Sequence, residues 1–337
     1  MASETVFGFV NQVAAAVAAK YPRTRVGCMA YSAYAEPPTF KLHANVFVQA
    51  TTAYRRTDLT LAEQLSTFRD RGCQAGLREY FSVYQWDWDV KPPQGTMSPA
   101  KMREVFAGYH EYGVRCINAE ASNNWGPRGL SYYLAANVMW NTKADTDALL
   151  RDFYTNAFGP AAEAMQRFYR HWYGAAALGG TEAPASETGE KSDEPVSKAK
   201  LRELFRDLDE AAKLTKDRPD CLARVDHLRM YFHYLMLRHR TEEAGAGKDV
   251  GRNKQAILDA VRAETTFGAR LTYTNMIHSR PLLSKAFDRR FKKFEGLLKA
   301  VPEAQTANKG WRAIGQPPTH AEVEAFWEDD RITLGGT

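Results

Sequence analysis

The feature that most limits how this chain can fold is a change of hydrophobic period near Asn141. Before that point, apolar runs of strand length alternate with segments patterned at helical spacing. After it, the patterned segments all repeat at helical spacing. Val6, Val10, Val13 and Val17 predict a first helix, with Ser3 as its cap and Pro22 as its stop. Strands are expected at 25–31, 45–50, 76–84 and 114–120. Between them, Thr60-x-x-Glu63 is a capping box that opens a helix with Leu61, Leu65 and Phe68 on one face, closed by Gly72. Ser98-Pro99 opens another helix, with Met102, Val105, Phe106 and Tyr109 on its apolar face, and Gly113 ends it. Leu130 to Trp140 reads as the next helix.

Alternation of this kind argues for a parallel sheet with helical crossovers over residues 1–142. Residues 143–337 read as an α-helical C-terminal domain, with helices over 144–157, 160–175, 198–215, 220–244, 252–268 and 282–300. The Gly-, Ser-, Glu- and Pro-rich stretch 179–193 reads as a flexible loop, and a second capping box, Thr319-x-x-Glu322, opens a terminal helix. Four parallel strands would leave two edges and one face uncovered. Three arrangements answer this: a longer barrel of which this is part, two copies that complete one barrel, or an open sheet covered by helices.

Charge and composition exclude some partners. The net charge is +5, and Lys and Arg are interleaved with Asp and Glu, so no basic tract argues for nucleic acid. No apolar stretch approaches a membrane span, and the N-terminus lacks the charged and apolar regions of a signal peptide. Cys28, Cys73, Cys116 and Cys221 form no CxxC pair, so a zinc ribbon is not indicated. Cys28 and Cys116 sit in apolar runs and are expected as small core residues. His227, His233 and His239 stand six apart on one helix and do not share a face, which argues against a metal site there. No cofactor motif is present.

In parallel α/β folds, ligands gather at the carboxyl ends of the strands. Here those ends carry Tyr31, Ser32 and Tyr34, then Gln49, Thr51 and Thr52, then Tyr84, Trp86, Asp87, Trp88 and Asp89, and last Glu120, Asn123, Asn124 and Trp125. A sugar site needs aromatic platforms for C–H faces beside carboxylates and amides for hydroxyls. Tyr31, Tyr80, Tyr84, Trp86, Trp88 and Trp125 are candidate platforms, and Asn123 and Asn124 candidate hydroxyl partners. Hydrolysis of a glycosidic bond needs two carboxylates, which Glu120 with Asp87 or Asp89 could supply. For the tryptophans the competing reading is core packing, and for the acids solvated loops or helix caps. Glu79, in mid-strand between Arg78 and Tyr80, is a further candidate carboxylate, though a structural ion pair is the favoured reading.

At these residues the chain resembles the DUF4838 family of polysaccharide-degrading bacteria. The resemblance rests on Val10-Asn11, Lys20-Tyr-Pro22, Gly27-x-x-Ala30-Tyr31 before Pro37-Pro38, Glu120 with Asn124-Trp125-Gly126, Gly129-Leu-x-Tyr-Tyr-Leu134, Trp140-Asn141, and Asp152-Phe-Tyr154 through Ala162. It covers roughly residues 5–175. It implies a (β/α)8 TIM-type barrel related to α-glucuronidases and β-hexosaminidases, of which residues 1–142 would be the C-terminal half. It also implies that Glu120 and Trp125 hold the sugar. The expected activity is that of a glycoside-hydrolase-like protein on a polysaccharide, without cofactor. The alternative is a non-catalytic carbohydrate-binding or scaffold module. The missing N-terminal barrel half would come from a longer, secreted or periplasmic parent, or from a second copy in a homodimer.

Overall fold

The computed structural model describes residues 2–82, 97–174, 178, 196–246, 254–278 and 316–335. The fold is mixed α/β, mostly helical, with one small four-stranded parallel sheet. The chain divides into two compact units. The first holds residues 1–83 and 103–122, the second 84–102 and 123–337.

The first unit begins with α1 (Ala2–Lys20), β1 (Val26–Ser32), β2 (Val46–Arg55), α2 (Leu61–Asp70) and β3 (Gln74–Tyr80). It ends with α3 (Pro99–Glu111), from Arg103 onward, and β4 (Ile117–Glu120). The strands lie side by side in chain order. In parallel strands, paired residues share a face, so Ala30, Ala50 and Leu77 line one side, as do Cys28, Val48 and Ala75. That side is the core: α1 packs on β1 and β2, and α2 on β2 and β3. Val46, Val48, Ala50 and Leu77 are fully buried there, and Phe7 of α1 meets Phe68 of α2 with ring centroids 5.4 Å apart. The other side carries Gly27 and Met29, then Gln49, then Arg78 and Tyr80, then Asn118 and Glu120. Of these Gly27, Met29 and Asn118 are exposed.

The capping box of α2 has both halves. The Thr60 side chain accepts from the Glu63 amide, and the Glu63 carboxylate accepts from the Thr60 amide and hydroxyl. These bonds hold the Glu63 carboxyl below the ordinary carboxylate range. Thr60→Ala should cost about 1 kcal/mol, read as a lower urea midpoint at unchanged slope. An unchanged midpoint would mean that solvent caps this helix equally well. Gly72, at φ +94°, closes the segment in a backbone region where other residues are strained.

Several expectations needed correction. β2 runs on to Arg55 rather than ending at Ala50, because pairing continues past Ala50: Thr51 pairs with Arg78 of β3 and Arg55 with Ser32 of β1, across a register shift. β3 ends at Tyr80, and the part of the expected strand beyond Ser82 lies outside the described residues. β4 begins at Ile117, because Val114 is still engaged with the preceding helix, its amide bonded to the Tyr109 carbonyl. Cys116 is exposed and Cys28 only half-buried, so Cys116 is not a core residue. It stands just ahead of β4, where its carbonyl, rather than its side chain, is used by the Leu77 amide.

The second unit contains α4 (Trp125–Trp140), α5 (Thr146–Phe158), α6 (Ala162–Tyr173), α7 (Lys198–Leu214), α8 (Pro219–Ala246), α9 (Lys254–Leu271) and α10 (His320–Thr333). α4 starts five residues before the expected position. Gly126, Pro127 and Gly129 lower helix propensity there, but a proline within the first turn forfeits no intrahelical bond. Positions 228–238 of α8 are buried without a break, so this is the central helix of the unit. Phe232 meets Phe168 and Trp172 edge-on at 5.4 and 5.3 Å, and Trp172 donates its indole N–H to the Pro127 carbonyl. The aromatic stretch read at 228–237 is therefore helix-packing core. The expected loop 179–193 and helix 282–300 lie outside the described residues. Among the described residues, no helix is long and apolar enough to cross a membrane.

Candidate functional site

The carboxyl ends of the four strands bring together, within the first unit, side chains from segments far apart in sequence. Arg78 is the hub. Its Nη2 donates to Glu120 Oε2 at 2.8 Å, and its Nη1 to Asn118 Oδ1 at 3.0 Å. Asn118 in turn donates to Gln49 Oε1 at 3.4 Å. The register explains the pairing: Arg78 stands opposite Asn118, and Tyr80 opposite Glu120, so a long side chain at 78 reaches its diagonal neighbour on the same face. The ion pair is partly open to solvent, with the side chains 21% and 38% exposed, so it adds little to stability, about 1 kcal/mol at most. What it supplies is orientation. Glu120, ion-paired on one oxygen, is set as a hydrogen-bond acceptor.

Beside this network runs a row of four tyrosines from the ends of three strands. Tyr34 meets Tyr31 at 6.4 Å, Tyr31 meets Tyr54 at 6.2 Å, and Tyr54 meets Tyr80 at 5.8 Å, each pair edge to face. The Arg78 guanidinium lies over the Tyr80 ring at 5.7 Å. Burial, and next the neighbouring Tyr31, push the Tyr80 phenol above its ordinary range despite Arg78. It therefore stays protonated at neutral pH.

The backbone is strained where this row is built. Ser32 has φ +50° and Tyr54 φ +56°. The left-handed region costs a residue with a Cβ about 1–2 kcal/mol. The two lie close across the β1–β2 pair, at a register shift that sets Ser32 opposite Arg55.

Glu79 points the other way. It is buried, and in place of the expected ion pair its carboxylate accepts from the Thr52 hydroxyl at 2.6 Å, the Tyr109 hydroxyl at 2.7 Å and the Tyr80 amide at 2.8 Å. It ties β2, β3 and α3 together on the helix-covered side.

Of the residues expected at the site, Tyr31, Tyr80 and Glu120 are gathered here. Tyr84, Trp86, Asp87, Trp88 and Asp89 lie outside the described residues. Asn123, Asn124 and Trp125 belong to the second unit. There Asn123 donates to the Asn275 side chain at 2.7 Å, and Trp125 is half exposed with its ring against Tyr132. Asn124 is buried, and its carbonyl oxygen accepts from the Tyr132 hydroxyl at 2.6 Å. Sequence reading missed Arg78, Asn118 and Tyr54 as site residues. The first two were findable, since each stands two positions from a residue already singled out, Tyr80 and Glu120, and so shares its face.

A second cluster, in the second unit, joins Asp226, His320 and Glu324, whose ligand atoms lie within 4.8 Å of one another. Arg229 donates to Asp226 Oδ1 at 3.0 Å and to Glu324 Oε1, while His320 Nδ1 stands 2.6 Å from Asp226 Oδ2. Arg229 bridges both carboxylates, so the group reads as an ion-pair network joining α8 and α10.

Compared with known proteins, residues 1–171 match the family model described as a domain of unknown function (DUF4838). No curated protein and no solved structure matches the chain.

Proposed function

The chain belongs to the DUF4838 family, and from that premise we propose that it is a glycoside-hydrolase-like protein that holds a polysaccharide at the carboxyl ends of its strands. The observation that carries this reading is the joining, at the carboxyl ends of four parallel strands, of the Arg78–Glu120–Asn118 network with an aromatic row. Sugars offer apolar C–H faces rimmed by hydroxyls, and these two sets of side chains match the two features. Glu120 accepts from sugar hydroxyls, Arg78 fixes its direction, and Tyr31 and Tyr80 give apolar surface with a phenol to donate. Trp125, exposed in the second unit, stays a proposed sugar-binding residue through the family likeness alone. The strands, in sequential parallel order with helices on one side, fit half of a (β/α)8 barrel. The other half would come from further parent chain or from a second copy, and a dimer at micromolar concentration in size-exclusion chromatography would favour the second copy.

Hydrolysis needs a second carboxylate near Glu120. Glu79 is turned to the buried side, so the partner in this reading is Asp87 or Asp89. That same placement of Glu79 favours the second reading, a non-catalytic carbohydrate-binding module. Release of reducing ends from a bound polysaccharide decides for the hydrolase, and binding without release decides for the module.

Glu120→Gln tests the shared core of both readings. It should weaken oligosaccharide binding by about tenfold, the loss of one charge-assisted hydrogen bond, while stability changes by about 1 kcal/mol or less. Unchanged affinity would remove Glu120 from the site. A large loss of stability would make it a structural partner of Arg78.

A further inference from the structure

Tyr54 has a backbone conformation unusual for an aromatic residue. Its left-handed backbone, φ +56°, suits glycine or asparagine and opposes an aromatic side chain. The turn it makes, where β2 shifts register against Ser32 of β1, asks for a backbone conformation and not for a ring. Nor does the ring fill the core. It is 44% exposed, set between Tyr31 and Tyr80 at the mouth of the strand ends. Backbone strain at an exposed side chain beside a candidate site points to a functional role for that side chain.

The surroundings say what that is. Arg78, the cation in contact with the row, is already paired with Glu120 and lies over Tyr80. An anionic ligand would meet the Glu120 carboxylate and a guanidinium already engaged. A ring with an apolar face and hydroxyls at its rim finds tyrosine rings, phenol groups and the acceptors Glu120 and Asn118.

We infer that Tyr54 is the stacking residue of a subsite for a neutral pyranose ring, flanked by Tyr31 and Tyr80 and oriented by the Arg78–Glu120 pair. The inference rests on the carbohydrate reading above and adds to it a specificity-determining residue and a ligand class.

The test uses the full chain with Tyr54→Gly and Tyr54→Phe. Cellohexaose, mannohexaose, xylohexaose and a galacturonate hexamer serve as probes in titration calorimetry. Wild type should bind at least one neutral hexamer more tightly than the acidic one. Tyr54→Gly should lose about tenfold in that affinity, as expected for one lost aromatic stack, while its melting temperature holds or rises because glycine accepts the backbone. Tyr54→Phe should stay within about threefold of wild type, since stacking is retained. If wild type binds and Glu120→Gln weakens it but Tyr54→Gly does not, the inference falls and the carbohydrate reading stands. A melting temperature lowered by several degrees in Tyr54→Gly would assign the ring to packing and overturn it. Preference for the galacturonate hexamer would overturn the neutral ligand class. Binding of none of the four probes by wild type would overturn both the reading and the inference.

Discussion

Gly126→Ala should destabilise the second unit by about 2–3 kcal/mol, the cost of forcing a methyl group into a filled space. A Cβ at this position would stand 2.6 Å from Cγ of Tyr231 and 2.7 Å from the Met276 carbonyl oxygen, both far inside van der Waals contact. Neither neighbour can yield. Tyr231 is fully buried, edge-packed on Trp172 and Phe232. The Met276 carbonyl accepts the Gly126 amide at 3.0 Å, so moving it apart breaks that bond too. Gly129→Ala is the control. The nearest atom there is a Trp125 ring carbon at 3.4 Å, and alanine is the better helix former, so this variant should hold its stability or gain up to about 1 kcal/mol. Urea unfolding of both variants measures the contrast. Equal effects would mean that the start of α4 is not seated against α8. The glycine of the Asn124-Trp125-Gly126 motif is thus explained by packing, and so is its asparagine, whose amide is buried against Tyr132.

Asp330→Ala should cost about 3–5 kcal/mol, as breaking one partner of a buried charged pair does. Asp330 is fully buried on α10 and bridges two residues of α8. One carboxylate oxygen faces His233 Nδ1, and the other accepts from Arg240 at 3.0 Å. Removing it leaves His233 buried, stacked on Phe326, with its Nδ1 partner gone. Arg240 keeps Asp329 and the Thr333 hydroxyl.

The pH response follows from the same group. Burial raises the Asp330 carboxyl above its ordinary range, against the pull of His233 and Arg240. A folded-state value above the unfolded one means that ionisation weighs against the fold. That penalty is complete above the raised value and is relieved as pH falls through it. Glu322 and Glu324, on the same helix, are lowered and behave oppositely: their contribution is present above the ordinary value and is lost as pH falls. Comparing wild type with an Asp330 variant cancels the contribution of these two glutamates. In denaturation series from about pH 7 to about pH 4, the stability gap between wild type and Asp330→Asn should widen on acidification. A gap that narrows would mean that the ion pairs outweigh the burial.

The architecture was legible in the sequence wherever local chemistry carried it. Thr60 with Glu63 and Thr319 with Glu322 mark two helix starts without reference to anything distant, and both capping boxes are complete in the fold. The four strands and their parallel order followed from apolar runs separated by crossover helices. Where local propensity and tertiary packing disagree, reading failed. The start of α4 was hidden by Gly126 and Pro127, residues that disfavour helices in isolation but are required or harmless there. Tyr54 was passed over because no side-chain pattern announces a left-handed backbone at an aromatic residue. The candidate site divides along the same line. Tyr31, Tyr80 and Glu120 were identifiable from their places at strand ends, but the pairing of Arg78 with Glu120 joins residues 42 positions apart and depends on register. Glu79 shows the reverse case. Its neighbour Arg78 suggested an ion pair, yet successive strand residues point to opposite faces, and hydroxyls of Thr52 and Tyr109 took the carboxylate instead.

The most direct measurement is hydrogen–deuterium exchange on the full chain, with and without a saturating amount of the hexasaccharide that binds most tightly. Protection is expected in peptides covering 30–34, 52–55, 78–82 and 118–122, the carboxyl ends of β1 to β4. Protection confined to α7, α8, α9 and α10, with those four strand ends unchanged, would contradict the placement of the carbohydrate site on the sheet.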